Sequence, residues 1–397
     1  MIRILFVDDE SRILDGVRRS MYGMREQWEM RFSGSGAAAL TALAEQVSDV
    51  IVSDMRMPGM DGSQLLAEVK RLYPEVVRII LSGQSEPESI VRTMRTAHQC
   101  LSKPCDAPTL KSAIARTMTL KAMLTGEHLA AIVGSVDTLP TPPKTYRKLL
   151  TCLRDPVTTI EKLAGVIRQD VAITAKIVKL ANSGFFGVHE PVRTVERAVA
   201  FVGMDAISTL VLGQELFDSK STITIPGFDL EQLGRHSFET AAWAHAVGLH
   251  ENLPRVLADT AFLAGVVHDV GRLVFATRSA PAASLKPVEW LTVSMAQMEA
   301  QHAAAGAYLL GLWGFSDTIV EAILWHHSPS RCGDAGLGLC GLLHIGDLLA
   351  HERDPEQGRP NPSTLDPGYL EKLGLADRWS VWQALRPLPD AISASAG

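Results

Sequence analysis

Asp8, Asp9 and Asp54 are the first residues whose types and spacing could do chemistry. The pair follows the apolar run Ile2 to Val7, and Asp54 closes the run Val50 to Ser53. Ser82 closes a third run that starts at Val77, and Lys103 follows a weaker one, Gln99 to Ser102, with Pro104 next. If these runs are neighbouring strands, three carboxylates share one crevice and repel one another. Either they hold protons more tightly or a divalent cation neutralises them, and hard oxygen ligands suit Mg²⁺. A hydroxyl at Ser82 and a compact cation at Lys103 could then hold phosphoryl oxygens, which describes phosphoryl transfer to a carboxylate. A second set lies further on: His236, His268, Asp269, His302, His326, His327 and Asp347. Imidazole and carboxylate together suit borderline first-row metals such as Fe, Mn or Zn, provided the side chains point inward from several helices. Taken singly, each of these histidines is more often a hydrogen-bonded core residue than a ligand.

The elements that must position the first set alternate in period. Strand-like runs, including a weaker one at Met30 to Ser33, alternate with helix-spaced segments such as Leu65, Leu66, Val69 and Leu72, which implies parallel strands joined by crossover helices. Ser85 and Glu88 with Pro87 mark one helix start, and Asp106 with Pro108 another. The reading is a flavodoxin-like α/β domain over residues 1–122, with a five-stranded parallel sheet in the order 2-1-3-4-5. Its crevice lies beyond strands one and three. Leu110, Ile114, Met118 and Leu124 keep helical spacing, so the last helix is predicted to run on to about Val136 and make a linker of residues 123–140. Such a helix could support a homodimer, although the heptads are too few for a coiled coil. The prolines 140, 142 and 143 then stop it.

Strand alternation is absent from residues 141–352, which read as an all-α domain. Thr158 and Glu161 have capping-box spacing, and Val171 to Ala181, Ala206 to Phe217, Leu230 to Leu249 and Val256 to Thr277 have apolar periods near helical. His268 and Asp269 are adjacent, and neighbours on a helix diverge by about 100°. A shared ion therefore needs a distorted turn there, which Gly271 could allow. His326 and His327 end a helix before Pro329, and one of them is expected to face inward. Residues 353–397 read as a tail with one short amphipathic helix between Tyr369 and Leu385 and a small-residue end expected to be disordered.

Composition narrows the function classes. A chain of 397 residues with 46% hydrophobic and 21% charged residues has apolar mass for more than one core. The net charge of -6 offers no bulk positive field for nucleic acid or anionic lipid, so neither is an expected partner. Residues 1–122 are near neutral, with 16 basic against 15 acidic side chains, and the remainder carries 22 against 29. The acidic excess therefore lies in the helical half, which points to a protein or small-ligand partner. Five scattered cysteines without CxxC spacing fit a reducing compartment. The amino terminus lacks the long apolar stretch of a signal peptide, and no run reaches the roughly 18 apolar residues of a membrane helix. A cytoplasmic location is expected.

The first half resembles the response-regulator receiver domain. The carriers are Asp8 and Asp9 after strand one, Asp54 in VSDMRMPGMDG, Ser82 in LSGQS and Lys103 before Pro104. The resemblance implies that Asp54 is the phosphoacceptor, that Asp9, Asp54 and the backbone carbonyl of Arg56 ligate Mg²⁺ with Asp8 acting through water, and that a sensor histidine kinase is the donor. One departure is Cys100, three residues before the lysine, where the family has a Tyr or Phe that swings inward on activation. Residues 128–352 resemble the HD superfamily and its HDOD branch, on the strength of LPTPPK, DVAITAKIVKLANSGFFG, HDVGRL, AAAGAYLLGLWGF and AILWHHSP. That implies a helical, metal-hydrolase-like module of bacterial signalling proteins. The related HD-GYP phosphodiesterases place matching histidines and acids around metals, but the GYP tripeptide is missing here and Arg272 stands where a lysine is usual.

Two functions follow. In one, phosphorylation of Asp54 controls an HDOD output that acts without catalysis, through a protein or small ligand; in the other, the output is a metal-dependent phosphohydrolase acting on a nucleotide or cyclic nucleotide. The missing substrate-binding parts favour the first.

Overall fold

A computed structural model of the chain describes residues 1–83, 93, 96–122, 124, 127–136, 139, 143–155, 157–183, 186, 190–212, 228–278, 295–334, 336–353 and 366–385. They form two compact units: Met1–Thr138 with Lys179–Pro191 and Tyr308–Gly314, and Leu139–Val178 with Val192–Ala307 and Phe315–Gly397. No helix among the described residues is long and apolar enough to cross a membrane.

In the first unit, β1 (Ile2–Val7), β2 (Trp28–Ser33), β3 (Val50–Asp54), β4 (Val77–Ser82) and β5 (Gln99–Ser102) make one parallel sheet in the order β2-β1-β3-β4-β5. β2 starts at Trp28, ahead of the apolar run, because that ring is buried. The inner strands are apolar almost throughout, as strands covered on both faces must be. Helices α1 (Ser11–Ser20), α2 (Gly36–Glu45), α3 (Gly62–Leu72) and α4 (Ala107–Ala122) accompany them. Leu5, Ile51, Leu65, Leu66 and Ile80 share one core. A reciprocal capping box of Asp61 and Gln64 starts α3, and Asp106 accepts from the Thr109 N–H at the start of α4. The expected helix start at Ser85, Pro87 and Glu88 lies outside the described residues.

The predicted single helix through residue 136 is instead two. α4 stops at Ala122, and α5 spans Glu127–Gly134. Leu124 is buried between them, next to Thr125 and Gly126 in the sequence, both weak helix formers. α5 rests on the sheet end: a Cβ on Gly134 would lie 2.1 Å from the Pro74 carbonyl oxygen. Arg78, buried in β4, donates to the carbonyls of Thr96 (2.7 Å), Val76 (3.0 Å), Pro74 (3.2 Å) and Gly134 (2.5 Å). His98 Nδ1 accepts from the Arg78 N–H at 3.1 Å, which puts its proton on Nε2, 3.2 Å from Gly134 O.

The second unit is helical among the described residues: α6 (Pro143–Arg154), α7 (Ile160–Ile167), α8 (Val171–Ala181), α9 (Val195–Val202), α10 (Met204–Leu212), α11 (Leu230–His250), α12 (Arg255–Val267), α13 (Val270–Arg278), α14 (Met295–Leu312), α15 (Asp317–Trp325) and α16 (Leu339–Arg353). α8 and α14 each run partly into the segments grouped with the first unit. Three expectations change. The α7 cap is Thr159, which accepts from the Lys162 N–H, while Thr158 is buried and donates to the Cys152 carbonyl at 2.7 Å. The predicted helix 256–277 breaks at His268 and Asp269 into α12 and α13. The tail carries two short helices, α17 (Pro367–Lys372) and α18 (Trp379–Gln383), with Tyr369, Leu370 and Trp382 buried. Glu251 Oε1 anchors it, accepting from Arg378 Nη2 at 2.7 Å and Trp382 Nε1 at 2.8 Å. The part of the expected helix 206–217 beyond Leu212 and the small-residue end from 386 lie outside the described residues.

Candidate functional site

Sheet register assembles the first site. Val7 lies opposite Ser53, Asp54 opposite Leu81, and Ser82 opposite Ser102, so Asp8, Asp54, Ser82 and Lys103 emerge at one sheet end. Lys103 Nζ lies 3.0 Å from Asp8 Oδ2 and 2.5 Å from Asp54 Oδ1. Burial pushes the Lys103 pKa down, but the hydrogen bonds to Asp54 and Asp8 outweigh it and hold the ammonium charged. Asp8 Oδ1 also accepts from the Glu10 N–H at 2.9 Å, and Asp54 Oδ2 from the Arg56 N–H at 3.1 Å. Ser82 Oγ is buried and donates to the Gly83 carbonyl, while Asp9 is exposed at the rim. Two carboxylates within reach of one ammonium, with a third beside them, form a hard-oxygen set that fits Mg²⁺. Cys100, in the middle of β5, is buried, and that burial pushes its thiol up to about 12.

The second site is built where helices of the second unit cross. His236 comes from the middle of α11, His268 and Asp269 from the break between α12 and α13, His302 from α14, His326 and His327 from the turn after α15, and Asp347 from α16. All seven converge. The break, which frees His268 and Asp269 from the divergence of helical neighbours, is what lets both point inward. Gly271 does not loosen this turn: a Cβ there would lie 1.9 Å from the His302 carbonyl oxygen, so the glycine lets α14 approach. Gly265 does the same for α12 against α11, with Ala241 Cα at 2.4 Å from its would-be Cβ.

His236 Nε2 lies 3.1 Å from Asp347 Oδ1, and His268 Nε2 lies 3.6 Å from the same oxygen. Asp269 Oδ1 is 3.3 Å from His302 Nε2 and 3.7 Å from His268 Nε2. His327 faces both sides, with Nε2 3.0 Å from His302 Nε2 and Nδ1 3.8 Å from Asp347 Oδ2. Most of these separations exceed the roughly 2.7–3.2 Å of good hydrogen bonds. They match the ~3.4 Å edge between ligands of one tetrahedral ion with bonds of about 2.1 Å. His268 Nδ1 donates to Gly265 O at 2.8 Å and His326 Nδ1 to Ile323 O at 2.6 Å, which leaves the Nε2 of each as the nitrogen that could accept a ligand bond. His326 Nε2 is buried with no hydrogen-bond partner among the described residues.

Protonation is matched to that role. Burial holds His326 well below the usual imidazole range and His327 down to about 3. Burial would raise Asp269, but Arg272, 2.8 Å away, and the surrounding histidines hold it well below the carboxylate range. Asp347 is likewise held down against burial by hydrogen bonds from His236 and His268. His268 goes the other way: burial lowers it, and Asp269 with Asp347 raises it further. Neutral His326 and His327 beside ionised Asp269 and Asp347 are in the state that metal binding requires, whereas His268 is held toward its charged form and would have to release a proton to ligate.

Two residues escaped the sequence reading. His351, one turn after Asp347 on α16, places Nε2 3.5 Å from Asp347 Oδ1. Its i,i+4 spacing from Asp347 was the available signal. His344 bridges the His326 carbonyl, to which Nδ1 donates at 2.7 Å, and the Asp366 N–H, which Nε2 accepts at 3.3 Å. The expectation that only one of His326 and His327 faces inward is also corrected, since the turn after Trp325 leaves the helical spacing that would have separated them.

Residues 4–115 match the family model of the response regulator receiver domain, and residues 139–329 match that of the HDOD domain. The chain is a receiver domain joined to an HDOD domain. It is thereby a two-component response regulator in architecture. The receiver portion is 37% identical over 103 residues to the hydrogenase transcriptional regulatory protein HoxA of Cupriavidus necator, covering 25% of this chain and 21% of that one. It is 33% identical over 129 residues to the transcriptional regulatory protein GlrR of Escherichia coli, covering 32% of this chain and 28% of that one. The chain thus spans less than a third of these curated relatives. Among solved structures, the MmoQ response regulator of Methylococcus capsulatus is 23% identical with a TM-score of 0.46, covering 63% of this chain and 99% of that one.

Proposed function

We propose that this response regulator is switched by phosphorylation of Asp54, with a sensor histidine kinase as donor, and that the switch governs the HDOD domain. The observation that carries this is the reach of Lys103 Nζ to both Asp8 and Asp54. An Asp54 oxygen takes the phosphoryl group, the donor's bond to phosphorus breaks, and an acyl phosphate forms. Lys103 changes partner during this step, leaving the carboxylate for the incoming phosphoryl oxygens, and Ser82 is the nearby hydroxyl donor. Asp9, Asp54 and the Arg56 carbonyl, with Asp8 through water, would hold Mg²⁺, which supplies charge neutralisation to the transferring group. The test is labelling of the full chain by a small acyl-phosphate donor with Mg²⁺. Wild type is labelled and Asp54→Ala is not; equal labelling of the two refutes the assignment.

For the output, the convergence of His236, His268, Asp269, His302, His326, His327 and Asp347 at ligand-to-ligand spacings favours a metal-bearing HDOD domain over a relic scaffold. These residues would hold Fe, Mn or Zn, and the bound ion would supply an activated water or a polarised phosphate. Around it, Arg272 keeps Asp269 ionised, and the Gly265 and Ile323 carbonyls orient His268 and His326. Phosphohydrolysis of a nucleotide or phosphodiester is the reaction this set supports. Metal analysis of the full chain after anaerobic purification tests it: bound first-row metal at stoichiometric level supports the reading, and its absence leaves the output as binding without catalysis.

A further inference from the structure

Cys332 and Cys340 stand eight residues apart in the second unit, and neither belongs to the sites described above. The fold brings them together. Cys332 follows the turn Pro329–Arg331, its N–H donating to the Pro329 carbonyl at 3.0 Å, and Cys340 lies in the first turn of α16. The two thiols hydrogen-bond to each other. Cys340 is buried, with Sγ 3.9 Å from the Ala322 carbonyl on α15, whereas Cys332 is half-buried and partly reaches solvent. Two glycines hold the surroundings close: a Cβ on Gly338 would run into the Asp334 carboxylate, and one on Gly341 into the Tyr369 hydroxyl. That hydroxyl is buried with no hydrogen-bond partner among the described residues, so an unused donor lies beside Cys340. The hydrogen bond with Cys332, burial and the charges of Asp334 and Glu321 push the Cys340 thiol up, so it stays protonated until its partner is activated.

We infer that Cys332 and Cys340 are a reversible dithiol–disulfide site that answers to hydroperoxides, with Cys332 the sulfur that meets the oxidant and Cys340 the one that resolves it. Cys332 Sγ attacks one peroxide oxygen, the O–O bond breaks, and the other oxygen leaves as water with the thiol proton, giving a sulfenic acid. Cys340 Sγ then attacks that sulfur: the S–S bond forms, the S–O bond breaks, and the departing hydroxide takes the Cys340 proton as a second water. Each sulfur gives up one electron, and the peroxide is reduced to two waters. A hydrogen-bonded sulfur pair has only to close to the roughly 2.05 Å of the covalent bond. Where thiols are kept reduced, such a bond is transient and regulatory. Its position gives it leverage, because Ser330, two residues before Cys332, donates to Asp366, the residue that caps α17, and α16 carries Asp347. Neither phosphorylation of Asp54 nor a bound metal is required.

The test uses the full chain, exposed to hydrogen peroxide at a dose that leaves Cys105, also half-buried, as a thiol. The protein is alkylated with iodoacetamide while folded and again after unfolding, then cut with trypsin. Arg331 and Arg353 bound one tryptic peptide, residues 332–353, that holds both cysteines and no others. From untreated wild type this peptide is expected to carry two alkyl groups. After peroxide it is expected to carry none and to be lighter than the dithiol by two hydrogens, and dithiothreitol should restore both thiols. Cys332→Ser is expected to keep the Cys340 thiol through the same treatment, since no sulfenic acid is there to attack. A wild-type peptide that still takes two alkyl groups, or one that ends with Cys332 as a sulfinic acid and Cys340 as a thiol, overturns the site. Oxidation of Cys340 in Cys332→Ser overturns the assigned roles.

Discussion

Gly271→Ala is the perturbation that tests how the HDOD centre is held together. The alanine Cβ would sit 1.9 Å from the His302 carbonyl oxygen and 2.8 Å from the Gly306 nitrogen, both backbone atoms that no rotamer change can move away. Reaching a contact that real Cβ atoms show requires α13 and α14 to part by at least about 1 Å at His302. Overpacking of this kind costs about 1–3 kcal/mol. For a unit of this size that lowers the melting temperature by roughly 2–10 °C. The functional consequence is larger, because ligand distances are held to about 0.2 Å in a metal centre and His302 stands only 3.3 Å from Asp269 Oδ1. Metal affinity should fall at least tenfold, about 1.4 kcal/mol. The assays are calorimetric melting with and without chelator and a Co²⁺ titration of the full chain. Gly16→Ala is the control: nothing lies within 4 Å of a Cβ there, and in the interior of α1 the change should stabilise by about 0.5–1 kcal/mol. A Gly271→Ala protein with wild-type melting and wild-type metal affinity refutes the claim that this glycine sets the approach of His302.

Lys103→Gln removes the cation shared by Asp8 and Asp54 and should lower the rate of Asp54 labelling by about 10²-fold, the scale of losing one charge-stabilising donor, as read by phosphoprotein gel or mass shift. Arg78→Met strands four carbonyls, those of Val76 and Gly134 buried and those of Thr96 and Pro74 half-buried, and should cost about 3–5 kcal/mol in denaturant unfolding; a loss under about 1 kcal/mol would contradict the network described for β4 and α5. Trp382→Ala empties a fully buried site and should cost about 3–5 kcal/mol, with proteolysis of the tail as a second readout. Glu251, which anchors that tryptophan, has its pKa lowered: burial pushes it up, and the Trp382 and Arg378 hydrogen bonds outweigh burial. Its contribution is therefore present above the unfolded value of 4.5 and lost as the pH falls through the lower folded value, so the stability gap between wild type and Glu251→Gln should narrow in acid and not in base.

The sheet was legible because buried parallel strands are apolar runs bounded by turn residues, and such runs are rare by accident. Arg78 was not, although it stands inside one of them. A guanidinium in a buried strand reads as an error until the four carbonyls that satisfy it are known, and those come from residues as distant as Gly134. The linker failed for a related reason. Apolar spacing carried the helix on to residue 136, but spacing cannot tell one helix from two whose faces happen to stay in phase. In the tail, apolar spacing marked the helical stretch between Tyr369 and Leu385, but it could not show that Trp382 finds a half-buried carboxylate partner 131 residues earlier.

At the two sites the difference lies in what positions the residues. Asp8, Asp54, Ser82 and Lys103 follow strand ends, and a parallel sheet brings strand ends together whatever the loops do, so residue type and strand order suffice. Helix-borne ligands have no such guarantee: each must lie on the right face of its helix at the right height, and a crossing must be close enough. Gly271 and Gly265 supply that closeness, and a sequence shows them only as two glycines among 31. His268 and Asp269 needed the break between α12 and α13, which no proline marks. His351 was overlooked because a histidine near a helix end is ordinarily solvent-facing, and only the position of Asp347 one turn before it, with the His236 ring against its own, turns it inward. A centre assembled by helix crossings is therefore fragile to changes far from its side chains, and that is why a single methyl group at residue 271 is expected to matter more to the spacing of His302 and Asp269 than a charge change on the protein surface.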